Sequence, residues 1–277
     1  MIETVVYGFT LGSILYFFSI GLSLTFGTMK IINFAHGMVY ALGVYFFITL
    51  LPLLHGVFWI SALLSVLCMV PIAYLIERLI IRRLYGESLD YAIIATYALL
   101  LIGTDFIKSV WGNVPQQVTD PVGLSVTVLN FIIPVYRLII VALAIALFSC
   151  LNLFFRVTIT GKIVIAALED IDGVRCLGLN VYKYFSIVFI LGSALAVLGG
   201  VLYAPISAAD PYMGHNILLI AFAVVIVGGM GSYQGTFFSA LALGMIMAVT
   251  GRFYSQAADT MVFVVMAIVL IFRRGEA

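Results

Sequence analysis

Long apolar runs separated by short polar segments make up most of the chain, and nine of these runs are candidate helices. They are apolar on every face, whereas strands of a membrane β-barrel alternate apolar and polar side chains. Because a helix needs about 20 apolar residues to cross a bilayer, the pattern predicts an all-α polytopic transmembrane helical bundle. The last three runs are short, so eight or nine membrane helices are expected. The candidate helices span 5–27, 36–54, 57–80, 91–110, 135–156, 184–204, 215–230, 235–250 and 259–272.

The composition supports this fold class, because 64% of the 277 residues are hydrophobic and only 9% are charged. A typical soluble domain has roughly 25% charged residues, so most of this surface must face lipid. The net charge is +1 and no basic cluster is interleaved with aromatic residues, which argues against nucleic acid as a partner. The first run, from Val5 to Phe26, is too long for a signal-peptide core and indicates a permanent membrane helix.

Basic residues cluster along the chain and are missing from two connecting segments, 111–134 and 205–214. By the positive-inside rule, the clusters are cytosolic and the two basic-free segments are external. This arrangement places the N-terminus outside and the C-terminus in the cytosol. Only Lys108, Arg137 and Arg252 then fall outside the cytosolic set of basic residues. That set comprises Lys30, Arg78, Arg82, Arg83, Arg156, Lys162, Arg175, Lys183, Arg273 and Arg274.

Two polar segments are long enough to matter outside the membrane, in a chain that we interpret as a single transmembrane domain over residues 1–277. The external segment, 111–134, is rich in proline and is expected to be an irregular loop. The cytosolic segment, 157–183, predicts a short helix from about Ile163 to Leu177 that is ended by Gly178. Such an element is a typical contact point for a partner, and an ordinary solvated connection is the alternative.

The most unusual polar segment at membrane depth is GTMKIINFAHG, residues 27–37, which separates the first two apolar runs. Polar side chains such as Asn33 and His36 are costly there and usually face a cavity or a partner. The flanking Gly27 and Gly37 suggest a broken helix, of the kind that transporters use at substrate sites. The alternative interpretation is a cytosolic turn with a capping Asn and a packed His.

Three further features draw attention. Asp105 and Lys108 lie three residues apart, which places them on one helix face where they can form an ion pair. The run GGMGSYQG provides Gly228, Gly229, Gly231 and Gly235, which form either a tight turn or a flexible gate. Small residues also recur at four-residue spacing, which allows helices to approach closely. These small residues are Gly8 and Gly12 near the N-terminus, and Ala240, Gly244 and Ala248 near the C-terminus.

Sequence patterns for cofactor or metal chemistry are absent. The chain has no G-x-x-x-x-G-K-[ST] motif, zinc-binding pattern or Ser-His-Asp combination. Its three cysteines, Cys68, Cys150 and Cys176, are far apart in the sequence. We therefore expect no cofactor and no metal, and any ATP that the system uses would bind to another chain.

Four segments together resemble a known family. They are residues 8–45 with the INFAHG core, residues 161–180, DPYMG at 210–214, and GGMGSYQG at 228–235. In this order and spacing, they resemble the permease subunits of branched-chain amino acid ABC importers, in the hydrophobic amino acid uptake family. Apolar spans link the four segments, so the resemblance covers essentially the whole chain.

The resemblance implies a multi-pass permease in the cell inner membrane that is not itself an enzyme. Its partners would be a second, related permease subunit, two cytosolic ATP-binding subunits and an extracytoplasmic substrate-binding protein. It would import branched-chain or other hydrophobic amino acids, or a related small solute such as urea, amides or carboxylates, by alternating access. Asn33, Phe34, His36 and Gly37 would form a pathway or gate. Ala167, Glu169, Asp170 and Gly178 would belong to the ATPase-coupling loop.

Two other functional classes remain open from the residues alone. An ion-coupled secondary transporter would use Asp105, Lys108 and His36 and would work without an ATPase. An intramembrane enzyme would use His36 or an acidic residue and would change its substrate chemically. Co-purification of a nucleotide-binding subunit would favour the importer over both.

The predicted orientation can be tested by cysteine labelling in a background that lacks Cys68, Cys150 and Cys176. A cysteine at Gln117 is expected to react with a membrane-impermeant reagent in intact cells, because the segment around it carries no basic residue. A cysteine within 157–183 is expected to react only after permeabilisation. Labelling at Gln117 that requires permeabilisation would contradict the orientation.

Overall fold

The computed structural model describes residues 2–128 and 131–273. In this part of the chain, eleven α-helices accompany one antiparallel hairpin. The helices are α1 (Ile2–Met29), α2 (Ala35–Leu53), α3 (Phe58–Leu79), α4 (Leu89–Trp111), α5 (Val135–Val157), α6 (Ile159–Glu169), α7 (Ile171–Cys176), α8 (Val181–Tyr203), α9 (Met213–Gly228), α10 (Tyr233–Phe253) and α11 (Ala258–Arg273). The strands are β1 (Ser125–Val128) and β2 (Phe131–Pro134), and short 3-10 helices cover Ile81–Leu84 and Ser255–Ala257.

Eight helical segments of the described chain are long and apolar enough to cross a membrane, which confirms the predicted all-α polytopic bundle. They are α1 to α5, α8, α10 and a last segment, Ser255–Phe272, that includes most of α11. The remaining predicted run corresponds to α9, which has only 16 residues. At about 1.5 Å per residue, α9 is about 24 Å long and shorter than the ~30 Å hydrocarbon core.

The helix ends fall into two groups. At one end, the start of α1 meets the end of α10, where Arg252 Nη1 donates a hydrogen bond to Thr4 Oγ1 at 2.8 Å. The segments that follow α4 and α8 also meet each other, through a bridge between Gln116 and Ala209. At the opposite end, the connection between α1 and α2 lies beside α6 and the turn between α9 and α10. Arg274 of the predicted cytosolic set lies outside the described residues.

Helix α1 lies at the centre of the bundle and packs against α5, α8, α9 and α10. Glycines set the distance of closest approach. A Cβ added to Gly21 would lie 2.6 Å from the Cα of Gly192 in α8. A Cβ on Gly12 would lie 2.7 Å from the Cα of Leu241 in α10, and one on Gly244 would collide with the backbone of Gly12. The small-residue spacing in the sequence therefore serves packing within this chain, as predicted.

The segment predicted to be external is irregular over residues 112–124, as its prolines suggested, but it ends in a hairpin. Strands β1 and β2 pair in antiparallel register, with Ser125 opposite Pro134 and Val128 opposite Phe131. β-branched residues fill three of the four positions in β1 and two of the four in β2, and they favour this structure. Pro134 is tolerated because it ends its strand, where a missing N–H costs little. Residues 129–130, which belong to the same predicted loop, lie outside the described part of the chain.

The segment predicted to be cytosolic also differs from the single helix that was predicted over 163–177. It forms two helices, α6 and α7, that break at Asp170. The backbone of Asp170 is extended, and its Oδ1 accepts hydrogen bonds from the backbone N–H groups of Asp172 and Gly173, both at 3.0 Å. A short acidic side chain that caps a new helix competes with continuation of the old one. Helix propensity alone did not reveal this break.

The contact between α1 and α10 yields a stability prediction. Gly244→Ala is expected to lower the free energy of unfolding by about 1–3 kcal/mol, because the added methyl group overpacks a backbone contact. Gly251→Ala is the matched control in the same helix, because its Cβ would lie an ordinary 3.6 Å from Ala258. Thermal unfolding in detergent should give a lower Tm for the first variant only. Equal Tm values for the two variants would contradict this account of the packing.

Candidate functional site

The first two membrane helices are separated by a break over residues 30–34. Helix α1 ends at Met29, and Lys30 follows in the left-handed region with φ 56°. Its N–H still donates to Phe26 O at 2.9 Å, so Lys30 ends the helix in the position where glycine is more common. The break is therefore present as predicted, although Gly27 and Gly37 do not form it. Both of these glycines lie inside regular helix.

Gly27 and Gly37 instead allow other parts of the chain to reach the break. A Cβ on Gly27 would lie 2.6 Å from the Cα of Gly231, and would also meet Leu168. A Cβ on Gly37 would lie 2.7 Å from the carbonyl oxygen of Gly214. Through these contacts, the other three segments of the family resemblance all touch the segment that contains INFAHG.

Two polar side chains at this place are buried, one within the break and the other in the first turn of α2. Asn33 is 2% exposed and His36 is 1% exposed. His36 Nε2 lies 3.1 Å from Phe18 O, and it must donate because a carbonyl only accepts. Within the described residues, His36 Nδ1 and both polar atoms of the Asn33 amide have no hydrogen-bond partner. Asn33 does not cap α2, because Phe34 holds that position and no side chain caps the helix.

Phe34 anchors the break to its neighbours. Its ring centroid lies 5.7 Å from that of Tyr97 in α4 and 5.3 Å from that of Phe222 in α9. Thr96 Oγ1 also donates to the carbonyl oxygen of Ile32 at 3.1 Å. The segment is thus fixed by aromatic and hydrogen-bond contacts, whereas the Asn33 amide beside it remains unsatisfied. That combination fits a side chain that interacts with something other than the surrounding protein.

A groove of about 310 Å³ lies where the break, helix α6 and the glycine-rich turn meet. Its walls include Lys30, Leu168, Glu169 and Gly231. Gly231 has φ 85°, which only glycine adopts without strain, and its N–H donates to Ser23 Oγ at 3.1 Å. The glycine run therefore forms a tight turn tied to α1.

The remaining glycines of this run close the turn. Gly229 ends α9 with φ 91°, and Ser232 caps α10 by accepting from the N–H of Gly235 at 3.0 Å. Gly228 and Gly235 then touch backbone to backbone, with no room for a Cβ on Gly235. Gly228 and Gly235 thus pack α9 tightly against α10, whereas Gly229 and Gly231 shape the turn between them.

The predicted coupling residues have different local roles. Ala167 is 1% exposed and belongs to the core, whereas Glu169 is exposed and has no ion-pair partner among the described residues. Asp170 is the N-cap of α7, as described above. Gly178 is exposed with φ 77°, and its N–H bonds to the carbonyl oxygen of Arg175, which ends α7 as predicted. Only Glu169 therefore offers an unengaged carboxylate.

Asp105 and Lys108 form the predicted ion pair, with Nζ and Oδ1 3.1 Å apart. The Lys108 ammonium also lies 4.3 Å from the centroid of the Tyr212 ring. The Asp105 side chain is 77% exposed, which does not suit a buried proton relay. The side-chain partner of His36 is Phe18, so the structure does not join the ion pair to His36.

Several buried polar groups were not singled out from the sequence. Glu77 is fully buried and accepts a hydrogen bond from the Tyr85 hydroxyl at 2.8 Å. Burial and the Glu77 carboxylate both raise the pKa of Tyr85, which keeps the hydroxyl protonated as the donor. Tyr16 and Ser19 in α1 have unpartnered hydroxyl groups in the described structure. Their three-residue spacing on one helix face was the signal available in the sequence.

These features define a multi-pass membrane protein of the transport class, in which the connection between two buried membrane helices adjoins a groove at one end of the bundle. Residues 4–272 match the family described as "Branched-chain amino acid transport system / permease component", and the chain belongs to this family. The resemblance inferred from the four motifs is thereby confirmed. The chain is a multi-pass inner-membrane transport component rather than an enzyme.

Known proteins from several organisms are similar to this chain. LivH of Escherichia coli (strain K12), a high-affinity branched-chain amino acid transport system permease protein, is 27% identical over 282 residues, covering 95% of this chain and 91% of LivH. BraD of Pseudomonas aeruginosa carries the same description and is 27% identical over 289 residues, covering 98% of this chain and 94% of BraD. PsaBC from Streptococcus pneumoniae in complex with Fab gives a TM-score of 0.45 at 16% identity, covering 98% of this chain and 88% of that one.

The unsatisfied Asn33 amide yields a prediction that separates a functional from a structural role. Asn33→Leu is expected to leave Tm unchanged or to raise it, because it removes a buried polar group that has no partner. Asn152→Leu is the control, because Asn152 Oδ1 accepts from the Tyr233 hydroxyl at 3.1 Å. Losing that bond should lower stability by about 1 kcal/mol. Transport should fall strongly in the Asn33 variant, and a large loss of its stability would instead indicate a structural role.

Proposed function

We propose that this chain is a permease subunit of an ABC importer for branched-chain amino acids. The substrate class is supported by the descriptions of LivH and BraD. The observation that carries the proposal is the convergence of the helix break, α6 and the glycine-rich turn on a single groove, through Gly27, Leu168 and Gly231. A driving subunit that pushed α6 would act directly on the end of α1.

The proposed mechanism is alternating access driven by two ATP-binding subunits on the cytosolic side. These subunits would dock on α6 and α7, where Glu169 presents an exposed carboxylate. A displacement of α6 would pass through Leu168 to Gly27 and Gly231, which it contacts. The break that follows α1 would then move, with Asn33 and His36 as an inner gate. The proposed coupling surface on α6 and the proposed gate after α1 are thus close to each other in space.

The remaining parts of the proposed assembly follow from the same orientation. The whole chain would act as one transmembrane domain, with its N-terminus outside and its C-terminus in the cytosol. The hairpin of β1 and β2 would face the extracytoplasmic substrate-binding protein. A second, related permease would cover part of the outer surface formed by α3, α4, α5 and α11, which is largely exposed in the single chain.

The ion-coupled alternative has less support. It requires a buried titratable relay, and the exposed Asp105 carboxylate does not provide one. Its partner Lys108 is engaged by that carboxylate and by the Tyr212 ring. An intramembrane enzyme is disfavoured by membership of a permease family.

The proposal is tested by reconstituting the permease with its ATPase subunits and binding protein in proteoliposomes. Leucine uptake is expected to require ATP and to persist when ion gradients are collapsed. Glu169→Lys should release the ATPase or uncouple hydrolysis from uptake, because it reverses the exposed charge. Asp170→Asn removes a neighbouring charge of the same loop without unfolding it, since Asn is an equally good helix N-cap and should preserve α7. Uptake that follows an ion gradient without ATP would overturn the proposed function, and normal coupling in Glu169→Lys would overturn the docking surface.

A further inference from the structure

Two adjoining cavities enter the bundle at the end where α1 begins, opposite the coupling groove. The outer cavity has a volume of about 580 Å³ and the inner one about 200 Å³. They share the lining residues Leu11, Tyr203, Met247 and Asp259, so they adjoin as an outer and an inner chamber. The outer volume lies within the range of small-molecule sites, which is about 300–1,000 Å³.

The outer chamber carries charges of both signs. Arg137 and Arg252 line it together with Glu3 and Asp259. Arg252 is held by its hydrogen bond to Thr4, and Arg137 lies over the Tyr7 ring with its Cζ 5.1 Å from the centroid. The ion pairs found in the described structure do not include any of these four charged residues. Opposite charges therefore line one chamber without neutralising each other directly.

The inner chamber has a different character. Its walls are mainly aliphatic, and the polar groups among them are those of Tyr40, Tyr203, Ser207, Asp210, Asn216 and Asp259. Ile14, Ile217 and Ile220 contribute branched side chains from α1 and α9. Tyr203 and Asp259 line both chambers. A ligand with a charged head and a short apolar tail would match both chambers.

We propose that this two-chambered cavity binds one L-α-amino acid with an aliphatic side chain, within a single permease chain. The ligand carboxylate would bind to Arg137 and Arg252 by charge-assisted hydrogen bonds. Its ammonium group would bind to Asp259, and its side chain would enter the inner chamber past Tyr203. The choice of an amino acid as the ligand rests on the proposed function. The location of the site and its contacts with Arg137, Arg252 and Asp259 are argued from the lining of the cavity itself.

A zwitterionic lipid headgroup shares the charged chemistry of an amino acid. The inner chamber favours the amino acid, because about 200 Å³ suits one short apolar side chain and not a pair of acyl chains. The test therefore uses the complete transporter complex in nanodiscs of two compositions. One contains only phosphatidylcholine, which has no primary ammonium group, and the other adds phosphatidylethanolamine.

The measurement is binding of radiolabelled L-leucine in the absence of ATP and of the binding protein. Arg137→Gln and Asp259→Asn are each expected to weaken binding about tenfold, through loss of a charge-assisted contact. Arg156→Gln, at the opposite end of the bundle, is the control and should bind normally. Leucinol lacks the carboxylate and 4-methylpentanoate lacks the ammonium group, so both should compete poorly with the wild type. In Arg137→Gln, the ratio of leucine affinity to leucinol affinity should fall, because the partner of the carboxylate is lost. In Asp259→Asn, the ratio of leucine affinity to 4-methylpentanoate affinity should fall, because the partner of the ammonium group is lost.

Three results would overturn the inference. Leucine binding that is unchanged in both variants would place the amino acid elsewhere. ATP-driven leucine uptake without leucine binding at this cavity would also place the amino acid elsewhere, and it would leave the proposed function intact. Loss of leucine binding on addition of phosphatidylethanolamine, together with retention of that lipid through purification, would assign the cavity to a lipid. Leucine binding with the expected variant effects, but no ATP-driven uptake, would uphold the site and contradict the proposed function instead.

Discussion

The close backbone approach of neighbouring helices to α1 is the constraint on which the rest of the structure depends. In lipid, helices gain little from burying apolar surface against each other, so dispersion contacts and small interfacial residues hold a bundle together. Here Gly12 meets α10, Gly21 meets Gly192 of α8, and Gly27 meets Gly231. These contacts extend from the first turns of α1 to its last. They fix the position of the central helix along its whole length.

A helix that is held in this way can connect the two ends of the molecule. With 28 residues and a rise of about 1.5 Å per residue, α1 is about 42 Å long. Its first turns line the charged outer cavity, and its last turn lines the groove beside α6. A shift of α1 at the end beside α6 would therefore be transmitted along a helix whose backbone packs directly against its neighbours. Tightly packed interiors transmit such displacements well.

The buried polar groups near the break lower the stability that this tight packing provides. A buried amide without a partner costs free energy, and the fold includes one at Asn33 beside well-satisfied neighbours. His36 is half satisfied, with one ring nitrogen on Phe18 O and the other unpartnered in the described structure. Such groups are expected where side chains exchange partners during a functional cycle. The break is thus held by packed aromatic rings and a backbone hydrogen bond, while the Asn33 amide in it lacks a hydrogen-bond partner among the described residues.

The sequence alone determined the all-α membrane class, the helix count to within one, the packing role of the small residues and the family, because these depend on composition, run length and local motifs. It did not reveal the hairpin in segment 111–134, where β-branched residues outweighed the prolines. Nor did it reveal the break at Asp170, where a capping carboxylate overrode helix propensity. It also assigned the break to Gly27 and Gly37, whereas Lys30 ends α1 and the glycines provide space for Gly231 and Gly214. Only the tertiary structure brought Arg137, Arg252 and Asp259 around one cavity, because residues so distant in sequence become neighbours only when α5, α10 and α11 pack around the start of α1.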